Sequence, residues 1–165
     1  AVNGGTLTST VANVNLGLGG ASMDSGAITP RGIGTAGTFT LAANQIFSTT
    51  GGTLNFDVGT AFDQIIGSGT GTFSIGSGTT LALTLGTGFD YGSSYTLFSG
   101  FSGGSVASSG FSITGYDTSN WVATLSDTGV LSFTAASIPE PSAYAAFAGL
   151  ALLGFAAFRR RETRA

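Results

Sequence analysis

Apolar residues in this chain recur at every second position, in short segments cut apart by glycine. That pattern restricts the fold more than any other feature. Leu54, Phe56 and Val58 alternate with Asn55 and Asp57, Phe73 and Ile75 flank Ser74, and Leu81, Leu83 and Leu85 alternate with Ala82 and Thr84. Phe111 and Ile113 flank Ser112, and Trp121, Ala123 and Leu125 keep the same period. Period two with one apolar side is the signature of a half-buried strand. No segment before residue 138 carries a sustained helical period. The 28 Gly, with 24 Thr and 20 Ser, supply turns between the strands. The 13 Phe and the β-branched residues suit a pleated surface. The expected class is all-β.

The segments resemble one another. Gly4-Gly5-Thr6-Leu7 recurs as Gly51-Gly52-Thr53-Leu54, and Thr38-Phe39-Thr40-Leu41 recurs in kind as Thr72-Phe73-Ser74-Ile75. The spacings of Thr6, Thr38, Thr53 and Thr72 suggest a repeat of about 16–17 residues, too small to bury its own face. Stacked units of this kind predict a Gly/Thr-rich β-solenoid, parallel β-helix-like. An antiparallel β-sandwich is the alternative. The repeat fades after about residue 86, and residues 86–135 are expected to form a β cap that closes the open core.

Few chemistries are open to this chain. It has no Cys, His or Lys, so disulfides, thiolate zinc sites, imidazole bases and Schiff-base lysines are excluded. Five Arg are its only bases, four of them in the last seven positions, so no basic face exists for nucleic acid. Gly32-Ile33-Gly34-Thr35-Ala36-Gly37 fits G-x-G-x-x-G, but a strand-like segment follows it where a dinucleotide site needs a helix, and it reads as a turn. Asp24, Asp57, Asp63, Asp90, Asp117 and Asp127 read as solvated loop carboxylates rather than a glycosidase pair. They lack the spacing of a calcium loop. No catalytic residue, metal site or cofactor is therefore expected. Tyr91, Tyr95, Tyr116 and Trp121 form a candidate ligand platform, against the plainer reading that they fill the core and rim of the cap.

Composition changes at Ile138, which separates an extracytoplasmic β-rich region, 1–138, from a tail, 139–165. The chain begins with Ala, not Met, and no apolar leader precedes it, so it reads as a fragment or a processed chain. The tail opens with Pro139-Glu140-Pro141, continues through an apolar run from Ala143 to Phe158 and ends on Arg159, Arg160 and Arg161. As a helix the run measures about 24 Å, short against a hydrocarbon core of about 30 Å. It is expected to form one C-terminal transmembrane helix, 143–158, marginal in energy and suited to a temporary hold. The prolines keep the preceding backbone extended, Ser142 is a natural helix N-cap, and the Arg run stays cytoplasmic as the stop-transfer signal.

These three elements, in this order, resemble the PEP-CTERM sorting signal of exported proteins from Gram-negative, exopolysaccharide-producing bacteria. The resemblance implies an exosortase-like membrane protease as partner, acting near Pro139, Glu140 and Pro141. It also implies at least a transient stay in the inner membrane, then residence at the cell surface or in the extracellular matrix, with exopolysaccharide as a further expected partner. The region from Gly51 to Ala135 resembles, less specifically, the Gly/Thr-rich repeats of autotransporter-like surface proteins. No alternating barrel region follows it, so self-translocation is not expected. The expected function is a non-enzymatic structural or adhesion protein of the surface or matrix. The alternative is a membrane-anchored carbohydrate-binding module.

Overall fold

The computed structural model describes residues 6–8, 13–15, 20–137, 145, 147–153 and 159. The chain forms two compact units, Ala1–Ala135 and Ala136–Ala165. The strands of the first are β1 (Thr6–Thr8), β2 (Asn13–Asn15), β3 (Ala21–Met23), β4 (Ala27–Thr29), β5 (Thr38–Thr40), β6 (Phe47–Val58) and β7 (Gln64–Ile66). They continue as β8 (Thr72–Leu85), β9 (Tyr95–Thr96), β10 (Phe98–Ser99), β11 (Gly103–Val106), β12 (Ser112–Thr114), β13 (Trp121–Leu125) and β14 (Val130–Ala135).

β1 to β8 and β10 to β12 pair only in parallel, and they wind into a β-solenoid of about three turns. Every coil crosses three faces. One face stacks β1, β4, the second half of β6, the second half of β8 and β12. The next stacks β2, β5, β7 and β10. The last stacks β3, the first halves of β6 and β8, and β11. A β-sandwich is excluded, because its neighbouring strands run antiparallel.

The coil is longer than the 16–17 residues that the sequence suggests. Ala21, Phe47 and Phe73 stand in register, as do Thr38 and Gln64, which gives 26 residues per coil in the middle of the solenoid, against 21 from Thr6 to Ala27 and 31 from Thr72 to Gly103. The recurrence at Thr6-Leu7 and Thr53-Leu54 is real but spans two coils of one face, through Ala27 and Ile28. Thr38 and Thr72 lie on different faces and never stack. A coil with three faces repeats its local alternation several times per turn, so neighbouring faces look like neighbouring repeats.

Alternation sends one residue in two to the core. Ile28, Leu54 and Leu81 form one buried column, Phe39, Ile65 and Phe98 a second, and Met23, Thr49 and Ile75 a third. Phe98 stacks on Phe73 with ring centroids 4.8 Å apart and also touches the rings of Phe47 and Phe56.

β6 and β8 each serve two faces and bend sharply between them. A Cβ on Gly51 would stand 2.5 Å from the Asp24 carbonyl oxygen, and one on Gly78 would stand 2.5 Å from that of Thr50. At each bend the chain therefore touches the coil beneath it. Gly52 turns with φ +86°, a left-handed conformation costly for residues with a Cβ. The inward polar group at this corner is satisfied: the Thr79 hydroxyl donates to the Thr49 hydroxyl at 2.8 Å, which also accepts from the Gly76 N–H.

The segment 86–135 has two parts. β10, β11 and β12 extend the solenoid, whereas β13, β14 and β9 form an antiparallel sheet with β14 in the middle. This sheet adds Leu125, Leu131 and Phe133 to the common core.

Replacing Gly52 by Ala is expected to cost about 1–3 kcal/mol, from the left-handed backbone and the Gly26 carbonyl 2.8 Å from the new Cβ. Gly103→Ala, where a Cβ meets nothing within 4 Å, is expected to stay within about 0.5 kcal/mol of the parent. Chemical denaturation of the two variants side by side checks the contrast.

Candidate functional site

The G-x-G-x-x-G segment is a loop between β4 and β5, organised by two carboxylates. The N–H groups of Gly34 and Thr35 donate to the two oxygens of Asp57 at 2.8 and 2.6 Å. The Gly37 N–H donates to Asp63 at 2.6 Å, and the second Asp63 oxygen accepts from the Asp57 N–H at 2.8 Å. The backbone donors that a phosphate would need are already given to the protein's own side chains. Arg31 closes the loop from its side, donating to the Ala36 carbonyl at 3.4 Å.

The expectation that Asp57 and Asp63 are solvated is overturned. Asp57 is 6% exposed and Asp63 is fully buried. Both flank Gly59, and what covers them is the loop of the preceding coil, through the N–H groups of Gly34, Thr35 and Gly37. The available signal was Asp57 itself, a carboxylate set in the apolar alternation of Leu54 to Val58. The Asp63 pKa is raised to about 6, chiefly by burial and further by the nearby Asp57 carboxylate, against the lowering pull of the Asp57 and Gly37 N–H groups.

The four candidate aromatic residues come together around Phe89 and Phe133. Tyr91 and Trp121 stack face to face, 4.6 Å apart and 3° from parallel. Each thus gives one ring face to the other. Tyr95 is buried, and its hydroxyl both accepts from the Asp90 N–H and donates to the Asp90 carbonyl. Tyr116 packs its ring on Phe133 at 5.6 Å and accepts from the Ala123 N–H at 3.3 Å. The Tyr91 hydroxyl accepts from Asp117 N–H at 2.8 Å. Phe89 and Phe133, which hold this group together, were not singled out from sequence. Among the described residues no group of three or more His, Cys, Asp or Glu is placed to hold a metal ion.

Beyond β14, residues 136 and 137 complete the described part of the connection to the tail. Residues 145, 147–153 and 159 are helical. Phe147, Leu150, Leu152 and Leu153 are each about two-thirds or more exposed, so this turn of helix presents apolar side chains outward. No helix among the described residues is long and apolar enough to cross a membrane. Arg159 is helical and exposed, while Pro139, Glu140, Pro141, Arg160 and Arg161 lie outside the described residues, as does part of the expected span.

Residues 137–161 match the PEP-CTERM protein-sorting motif. The motif indicates exosortase-dependent sorting of an exported protein to the bacterial surface, the exosortase being a membrane protein that processes it. No curated protein and no solved structure matches the chain. The PEP-CTERM match begins two residues after the last strand pair, Trp121 with Ala135, so the motif overlaps no strand of the solenoid unit.

Asp63 makes stability depend on pH in a defined direction. Its folded pKa lies above the ordinary value of 3.8, so the folded state holds a proton that the unfolded chain releases. The contribution is complete below about pH 4 and is lost as pH rises through about 6. Melting temperature is expected to fall by a few degrees on going from pH 4.5 to 7.5, and Asp63→Asn is expected to flatten that part of the curve. Thermal melts across this range check both.

Proposed function

We propose that this chain is a non-enzymatic structural or adhesion protein of the bacterial surface or extracellular matrix, held at the inner membrane until an exosortase cuts near Pro139-Glu140-Pro141. The observation that carries this reading is the sorting-motif match at residues 137–161, directly after a β unit that ends at Ala135. The apolar run 143–158 spans the inner membrane during sorting, and Arg159, Arg160 and Arg161 hold the cytoplasmic side. Exposed Phe147, Leu150, Leu152 and Leu153 support this, since such side chains favour a lipid environment.

The non-enzymatic reading draws on the residue inventory. A chain without His, Cys or Lys has only carboxylates, hydroxyls and Arg to work with. Two of the six Asp are committed to holding a loop. A solenoid suits an extended surface role, because its stacked coils form a continuous lateral face and its core needs no ligand. Exopolysaccharide is the partner that such a matrix protein meets.

Glu140 is the recognition residue most exposed to test. In the native host, Glu140→Ala is expected to abolish processing, so that full-length protein accumulates in the inner membrane. The parent is expected to lose the residues after about Pro141. Intact mass of envelope and medium fractions reads both, and an unchanged mature mass for the variant overturns the assignment of Glu140.

A further inference from the structure

A groove of about 420 Å³ opens between β11–β12 and β13, where the parallel solenoid gives way to the antiparallel sheet. Its size lies within the roughly 300–1,000 Å³ of small-molecule sites. Phe111, Ile113 and Leu125 give it an apolar lining, and Tyr116, Thr124 and Asp127 add polar groups.

Two of those polar groups are half used. The Tyr116 oxygen accepts from the Ala123 N–H, which leaves its own O–H to donate. One Asp127 oxygen accepts from the Val106 N–H at 2.7 Å, which leaves the other to accept. The groove thus offers a hydroxyl donor and a charged acceptor beside an aromatic ring. A sugar presents the matching chemistry: an apolar C–H face for the ring and hydroxyls for the carboxylate and the phenol.

Charge selects among sugars. Among the described residues Asp127 is the charged residue lining the groove, and no cation lines it. An anionic saccharide would meet repulsion without compensation. An added peptide strand is disfavoured too, since the β13 N–H groups of Trp121 and Ala123 already donate to the Asp117 carbonyl and the Tyr116 hydroxyl. We propose that this groove binds an uncharged oligosaccharide, with one sugar stacked on Phe111 and its hydroxyls shared between Asp127 and Tyr116. This site is distinct from the Tyr91 and Trp121 pair and independent of the sorting motif.

Calorimetric titration of the full chain tests this, in a detergent without a sugar headgroup. The probes are neutral pentasaccharides of glucose, mannose, galactose and N-acetylglucosamine, with an oligogalacturonate as the anionic probe. At least one neutral probe is expected to bind and the oligogalacturonate is not. Tyr116→Phe and Asp127→Asn are each expected to weaken binding by up to about tenfold, the worth of one hydrogen bond. Thr124→Val, at an exposed strand position, removes a hydroxyl without touching either backbone bond and is expected to weaken binding less. Silence with every neutral probe, binding of the anionic probe alone, or unchanged affinity in all variants that keep the parent melting temperature overturns the proposal.

Discussion

The solenoid depends on the close approach of backbone to backbone at its glycine corners. At Gly51 and Gly78 the chain passes so near the carbonyl of the coil below that no side-chain atom fits between them. This lets β6 and β8 leave one face and enter the next without interrupting their pairing for more than a bulge. Everything else follows from the coils staying in step. The column of Ile28, Leu54 and Leu81 meets across turns of 26 and 27 residues, the Phe98 ring reaches Phe73, and the Asp63 carboxylate meets the Gly37 N–H from the neighbouring coil. A wider corner would put these partners out of register, and a slip of one residue reverses the faces of a strand.

The class of fold was legible because strand alternation is a local signal. Leu54 to Val58 and Leu81 to Leu85 read as strands and are strands, in register with each other. The coil length was not legible, because Thr38 and Thr72 look equivalent in sequence and only their pairing separates the faces. Asp57 and Asp63 were misread for a related reason. Whether a carboxylate meets water or a loop's N–H groups is decided by residues more than twenty positions away. The sorting segment was the most legible part of all, since its order of elements is linear and owes nothing to tertiary contact.

The carboxylate knot shows how a chain poor in charge places the charges it has. Asp57 and Asp63 together take three backbone N–H groups from a glycine-rich loop that has no strand to pair with, and Asp63 takes a fourth from Asp57 itself. Unpaired, those donors would each carry a desolvation cost of about 1–3 kcal/mol if buried. Two acidic side chains thus do for an irregular corner what a neighbouring strand does for the faces.

The position of β14 has a mechanical consequence. Its last residue, Ala135, pairs with Trp121, the first residue of β13, so the two ends of the hairpin open on the same side. Tension applied through the C-terminal tail therefore peels the hairpin from that rung inward, one cross-strand pair at a time, instead of shearing all five together. The Trp121 ring is stacked on Tyr91 at that first rung, and Phe133, two residues behind Ala135, is held edge-on by Phe89 and Tyr91. The aromatic cluster lies where the seam would start to tear, and it acts as a rivet against a pull on that end.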